Sequence, residues 1–423
     1  MTVDRTQTTE PSTTRLSING PRLWQTVERS AAIGVGRPGG LARLTLTDDD
    51  RRMRDEFREW CVAAGLTVTV DAVGNMFARR AGSDDSLPPV VMGSHLDTQF
   101  NGGRFDGILG VLSALEVMRT LNDNAITTRR PLEIAMWMNE EGARFSPPMV
   151  GSAAFAGVHP VDWVHARKAD DGATIGDELQ RIGYRGDAAV GGRPLDCYFE
   201  LHIEQGPELD ARSIPVGVVT HGYSVYGFIV DIGGETAHTG PWPMELRKNA
   251  LVGGAMLSVA INDIGWKYAK TNGKATAARL VAWPNKPGIL SDTAQFTGDV
   301  RHPDPASASA MRSEFLHAVR EASARSHCEM RILDEWHWGA DIFDQSMVSL
   351  VRDTARDLGI QTFDLPSQAG HDSYHIAKIA PTAMIFTPCR GGITHNNHEF
   401  TTLEESVPGA TVLLHAVLAR ANR

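Results

Sequence analysis

Cysteine is scarce in this 423-residue chain: Cys61, Cys197, Cys328 and Cys389 lie far apart, with no C-x-x-C pair. That excludes a dense disulfide framework and reads as reduced thiols in a cytoplasmic protein. Long hydrophobic runs are missing too. None approaches the roughly 20 residues of a membrane span, and the first fifteen residues are polar, without the apolar core of a secretory signal. Positive charge is in deficit, with 41 Lys and Arg against 51 Asp and Glu, a formal charge of −10 and a pI near 5.8. Nucleic acid or an anionic membrane as the main partner is thereby excluded, since either needs a basic surface. A local positive pocket for a small anionic substrate stays open. Repeats and low-complexity blocks are absent.

What is there describes a soluble globular protein, 42% hydrophobic and 22% charged. The length exceeds one ordinary domain and allows two or three. Met1 to Arg15, rich in Thr, Ser and Gln, reads as a loose tail, which we draw to residue 18. Thr47 before Asp48, Asp49 and Asp50 predicts a helix start, and Met53, Phe57, Trp60, Cys61 and Ala64 then recur at helical spacing until Gly65. Leu66 to Arg80 reads as a hairpin turning at Gly74-Asn75.

The stretch around which the chain is organised is Val90 to Gly110. Val90-Val91-Met92 predicts a buried strand that delivers His95 and Asp97 at its tip. After a Gly-rich turn, Asp106 opens a helix with Ile108, Leu109, Leu112 and Leu115 facing inward. Imidazole and carboxylate where a strand meets a helix suit a divalent metal with mixed N/O ligands, Asp97 orienting His95 from behind. Turn chemistry and capping use the same residue types.

The pattern repeats. The apolar strand Leu132 to Met138 stops at Asn139-Glu140-Glu141-Gly142, and adjacent residues on an extended segment point in opposite directions, so one glutamate can ligate while the other faces substrate. Cys197 to Ile203 is a third strand, with Glu200, His202 and Glu204 on one face. A fourth, Thr382 to Phe386, runs into Gly391-Gly392-Ile393-Thr394-His395. Four strand ends bearing such groups fit an open α/β sheet, in which ligands gather beyond the carboxyl ends of the strands.

From Gly217 the composition changes. Strands at Val218 to Ile232, Arg279 to Trp283, Gln295 to Arg301 and Met330 to Leu333 alternate with helices at Leu246 to Ile264 and Ala306 to Ser326. We read residues 213–334 as an α+β domain inserted into a catalytic domain of 19–212 and 335–423.

At this point Gly93-Ser94-His95-Leu96-Asp97-Thr98, Asn101-Gly102-Gly103-Arg104-Phe105-Asp106-Gly107, Asn139-Glu140-Glu141-Gly142, His202-Ile203-Glu204-Gln205-Gly206 and Thr394-His395-Asn396 resemble the hydantoinase/carbamoylase group of dinuclear metal amidohydrolases. That group hydrolyses N-carbamoyl-L-amino acids, β-ureidopropionate, allantoate and ureidoglycolate, and is related to aminoacylase- and carboxypeptidase-like metallopeptidases. The resemblance runs in order from about Arg22 to the C-terminus. It implies an α/β catalytic domain with a mixed sheet flanked by helices, interrupted by a lid and dimerisation domain. It implies two divalent ions (zinc, manganese, cobalt or nickel) bridged by Asp106 and completed by His95, Glu141, His202 and His395, with Glu140 as general base. It implies His238 of Ala237-His238-Thr239-Gly240-Pro241 as a lid histidine stabilising the oxyanion. Arg301 of Asp299-Val300-Arg301-His302-Pro303 becomes the grip on the substrate carboxylate, assisted by Gln205 and the amides of Gly391 and Gly392. A homodimer follows from the same resemblance, lid residues of one subunit completing the other's site.

One departure bears on substrate. The family's Asn-x-x-Asn-Val-Val-Pro-Gly reads here Asn285-Lys286-Pro287-Gly288-Ile289-Leu290, so Asn285 remains while Gly288 takes the place of the substrate-contacting asparagine. Losing that amide removes a donor and an acceptor and opens space. The expected reaction is hydrolysis of the carbamoyl C–N bond of an N-carbamoyl-L-amino acid or related ureido acid. An N-acyl-amino-acid amidase or dipeptidase on the same centre is the alternative, and an inactive binding relative a third reading.

Overall fold

Thr47 caps a helix over Asp48–Ala63, its hydroxyl accepting from the Asp50 amide. Met53, Phe57, Trp60 and Cys61 of that helix are buried, as their spacing requires. The computed structural model describes residues 16–340 and 343–423. Residues 1–15 of the expected tail lie outside the described residues, whereas Leu16 and Ile18 pack on the main core.

Among the described residues twelve strands form two sheets. In chain order they are β1 (Thr67–Val70), β2 (Met76–Arg80), β3 (Val90–His95), β4 (Leu132–Trp137), β5 (Cys197–Ile203), β6 (Val216–Gly222), β7 (Ser224–Gly233), β8 (Lys274–Trp283), β9 (Thr293–His302), β10 (Glu329–Trp338), β11 (Thr362–Ser367) and β12 (Thr382–Thr387). The larger sheet runs β1-β2-β4-β3-β5-β12-β6-β11. Its central strands β4, β3, β5 and β12 are mutually parallel, while β1–β2, β2–β4 and β12–β6 are antiparallel.

Every residue of those four parallel strands is buried. They are mostly apolar because both faces are covered, one by the main core and the other by a smaller cluster around Trp137, Phe155 and Tyr198. The helix Ile108–Asp123 packs against β3 and β5 and is buried almost all round, including Glu116. A single inward stripe was expected there. Helices Gly20–Ser30 and Leu403–Ala421 close over its remaining faces, and Glu116 is held by Arg22 at 2.6 Å.

The smaller sheet, β10-β7-β9-β8, is wholly antiparallel. Helices Ala250–Tyr268 and Pro305–Ser326 cover one face, around Phe228, Phe296 and Phe315. The boundaries drawn at 213 and 335 shift: β6 belongs to the larger sheet and β10 runs to Trp338, so the chain crosses between sheets at Tyr223 and Gly339. Composition hides this, because β6 and β7 read as one β-rich run interrupted only at Gly222-Tyr223.

On the buried face of the helix Asp48–Ala63, Arg54 Nε lies 2.8 Å from Asp50 Oδ2, both side chains 1% exposed, and Arg54 also donates to the Gly74 carbonyl. Arg54→Met leaves Asp50 a buried charge without its partner and should cost about 3–5 kcal/mol of stability, read as a fall in urea midpoint at unchanged slope. A change below about 1 kcal/mol would contradict this assignment of the ion pair.

Candidate metal centre

β4, β3, β5 and β12 are adjacent and parallel, so their carboxyl ends open on one edge of the sheet. His95 ends β3, Glu140 and Glu141 follow β4, His202 lies next to the end of β5, and His395 follows β12. Asp106 enters from the turn between β3 and its helix, just before Gly107. Gly107 has φ +68, and a Cβ there would run into the His95 ring, so glycine is required by both backbone and space. Asn139, Met149, Gln205 and His395, with φ between 52° and 59°, also occupy the left-handed region around this edge. Such backbone persists only where its surroundings enforce it.

Asp106 is shared. Its Oδ1 lies 3.5 Å from His95 Nε2 and 3.2 Å from His202 Nε2; its Oδ2 lies 3.5 Å from His395 Nε2. His395 Nε2 is in turn 3.2 Å from Glu141 Oε2. Two donor groups therefore meet at one carboxylate, His95–Asp106–His202 and Asp106–Glu141–His395. Each can hold a metal ion. The Nδ1 atoms of His95 and His202 face the backbone carbonyls of Asp97 and Ile203, each at 2.9 Å. A carbonyl can only accept, so in the neutral ring Nδ1 keeps the proton and Nε2 offers its lone pair to the centre. Asp97 acts on the other side as well: its carboxylate accepts the amides of Glu140 and Glu141 at 3.3 Å each.

A model of the peptidase family M20/M25/M40 matches residues 91–419. A crystal structure of an amidase of the hydantoinase/carbamoylase family from Burkholderia vietnamiensis superposes with a TM-score of 0.95 at 44% identity, covering 97% of this chain and 99% of that one. This chain belongs to the M20/M25/M40 family, in its hydantoinase/carbamoylase group. The N-carbamoyl-L-amino-acid amidohydrolase of Rhizobium meliloti is 43% identical over 96% of this chain and 97% of its own length. The allantoate amidohydrolase of Bacillus subtilis (strain 168) is 27% identical over 92% and 95%.

The electrostatics of this M20 centre are those of a cation site. Burial alone would lower the His95 and His202 pKa values, yet the surrounding carboxylates, Glu140 and Asp106 foremost, leave both raised. His395 is raised chiefly by Glu141. Asp106 is held well below its ordinary value despite burial, by its contacts with His202 and His95. Glu140, 3.4 Å from His95, is pushed well above its ordinary value by burial and by the carboxylates of Asp372, Glu141 and Asp106.

Asp106, Glu140, Glu141, His202, Gln205, Arg301 and His395 line one cavity of about 160 Å³. Gln205 donates to Asp106 Oδ2 at 2.8 Å. Arg301 is aimed by Asp299 and by the Gln368 carbonyl, at 2.8 and 3.0 Å. His238 and Asn285 do not reach this cavity. Both are exposed on the smaller unit, where His238 bridges to Ile289 and the Thr239 amide donates to the Gly288 carbonyl. Gly288 has φ +89, a backbone that favours glycine. The Gly391 amide is taken by Asp210 and the Gly392 amide by Cys389, and neither residue lines the cavity.

Three residues escaped the sequence reading. His371 lies 4.5 Å from the His202 ring, with no partner for Nε2 among the described residues; its place in a strand-end Gly-His-Asp run was the available signal. The Thr394 hydroxyl is 2.7 Å from Asp106 Oδ2, and Glu399 Oε1 accepts the amides of Phe105 and Asp106. Burial and the nearby Asp106 carboxylate push Glu399 up to about 7. Nothing in its sequence context marks it.

Because the three imidazoles hold protons to a higher pH than ordinary histidines, a metal must displace protons to bind. Apparent affinity for zinc or manganese should rise with pH and fall as pH drops through the raised values, with proton release visible by calorimetry in buffers of different ionisation heat. Undiminished binding by a His95→Ala, His202→Ala double variant would exclude this centre.

Proposed function

We propose that the chain hydrolyses the carbamoyl C–N bond of an N-carbamoyl-L-amino acid or related ureido acid, giving the amine, carbon dioxide and ammonia. The observation that carries this reading is Asp106 shared between two donor groups, with Glu140 beside it and Arg301 in the same cavity. In this reading His95, His202 and Asp106 would hold one ion, and Glu141, His395 and Asp106 a second. The mixed N/O donor set suits zinc, manganese, cobalt or nickel. Bound there, the two ions would lower the pKa of a shared water and polarise the scissile carbonyl.

The chain's own residues do the rest. Amides and ureas resist attack because nitrogen donates into the carbonyl, and the leaving nitrogen must be protonated to depart. Glu140, unligated and with a raised pKa, accepts the proton from water and passes it to that nitrogen. Arg301 pairs its planar fork with the substrate carboxylate, and Gln205 turns its amide to the substrate. The Rhizobium and Burkholderia relatives, named as a carbamoyl amidohydrolase and a carbamoylase-family amidase, support this choice of bond. An inactive binding relative is disfavoured by the presence of all five donors together with Glu140.

The reading includes a homodimer through the smaller unit, which then serves as lid and dimerisation domain. β8 is the open edge of its sheet, with Val281 and Trp283 exposed. On the adjoining helix Val259 is 61% and Trp266 75% exposed. Apolar side chains on an unpaired edge and its neighbouring helix mark a surface meant to be covered. His238 and Asn285, which do not line their own cavity, are then available to the partner's. No helix of the described residues is long and apolar enough to cross a membrane, and the four buried, free cysteines support a cytoplasmic location.

Glu140→Gln should lower kcat for ammonia release from N-carbamoyl amino acids by about 10²- to 10⁴-fold while metal content stays unchanged. Acetate from N-acetyl amino acids, with no ammonia from the carbamoyl series, would move the assignment to an acyl amidase. The Val259→Glu, Trp266→Glu double variant should sediment as a monomer with impaired turnover; a monomeric, fully active wild type would remove the dimer from this scheme.

A further inference from the structure

The substrate cavity shares a wall with a second one. This neighbour, about 200 Å³, is lined by His159, Trp163, Trp336 and His375, and the two residues lining both cavities are Pro148 and Trp338. Trp338 closes β10, the last strand of the smaller sheet, and is 8% exposed. Its indole and the Met149 thioether press on Gly370: a Cβ at Gly370 would lie 3.0 Å from Trp338 Cζ2 and 3.1 Å from Met149 Cε. The indole is therefore wedged in place. Among the described residues its Nε1 makes no hydrogen bond, so its contribution is shape.

The walls of the substrate cavity divide by chemistry. Asp106, Glu141, His202, His395 and Glu140 make one side with Gln205 and His371, Arg301 another, and Pro148, Met149, Trp338, Ala369 and Gly370 the apolar remainder. An α-amino acid with its scissile group at Asp106 and its carboxylate on Arg301 has one substituent left, the side chain, and the apolar wall is what remains to receive it. Behind that wall the neighbour is aromatic. The His159 ring stacks on Trp163 with centroids 4.0 Å apart, and burial drives His375 down to about 3, leaving it a neutral ring. Flat, uncharged faces of this kind suit an aromatic side chain. The charged members of the lining are Asp334, half-buried, and Glu335 and Lys378, both exposed.

We infer that Trp338 is a partition limiting the substrate to compact aliphatic side chains, and that the cavity behind it is a latent subsite for aromatic ones. This rests on the function proposed above, but concerns only which side chain enters. Because Trp338 spends no hydrogen bond, a smaller apolar residue keeps the packing chemistry while removing the barrier.

The experiment compares kcat/KM for N-carbamoyl-L-valine and N-carbamoyl-L-phenylalanine in wild type, Trp338→Leu and Trp338→Ala. Wild type should prefer valine, and both variants should shift the ratio toward phenylalanine by ~10- to 100-fold, the range one pocket wall supplies. Adding Trp163→Ala to Trp338→Leu should take back part of that gain, since the ring that the new side chain stacks on is gone. An unchanged ratio in both single variants, with wild type active, overturns the partition and leaves the function standing. Should wild type hydrolyse neither compound, the proposed function fails instead. The same ratio is then read on N-acetyl-L-valine and N-acetyl-L-phenylalanine, where an unchanged value in the variants overturns the partition as well. Trp338→Leu guards against a folding defect in the alanine variant, thermal midpoints being recorded for each.

Discussion

The centre is organised by a surplus of buried negative charge. Asp97, Asp106, Glu140, Glu200, Asp372 and Glu399 are all buried around the ends of four parallel strands. Among the described residues no lysine or arginine forms an ion pair with any of them; histidines are the cationic partners of Asp97, Asp106 and Glu140. Desolvated carboxylates at this density repel one another and resist ionisation. The arrangement is balanced only when protons or metal cations stand among them. The raised imidazoles and the raised Glu140 express that same imbalance without metal.

Backbone hydrogen bonds hold the charges in register. Asp97 accepts the amides that carry Glu140 and Glu141, and Glu399 accepts those of Phe105 and Asp106. Glu200 is tied to Ser94 and to the Ser373 amide at 2.9 Å each. Each of these carboxylates fixes a segment other than its own, so the site is set by cross-links between segments distant in sequence. The strained φ values at Asn139, Gln205 and His395 fall at the same junctions.

The catalytic sheet was legible from the chain because its strands are short apolar runs that stop at chemically distinctive residues. His95, Asp106, Glu141, His202 and His395 each follow such a run, and the sheet order gathers them. Which histidines pair across Asp106 was not legible, since it depends on β12 lying beside β5 rather than on spacing along the chain. Glu399 and Trp338 were missed for a related reason. Each gains its meaning from a partner far away in sequence, the Phe105–Asp106 amides for one and Gly370 for the other. The crossing between sheets was misplaced because β6 and β7 share one composition and differ only in their hydrogen-bond partners.

The position of β12 has a consequence for how the molecule comes into being. Of the twelve described strands this one emerges last during synthesis, yet it belongs in the interior of the larger sheet, between β5 and β6. Until it arrives, a ribosome-bound chain presents two bare strand flanks and lacks His395. Assembly of the sheet therefore waits on β12, which makes a chain still lacking it prone to self-association and ties completion of the paired donor groups to the arrival of this strand and of His395 just after it.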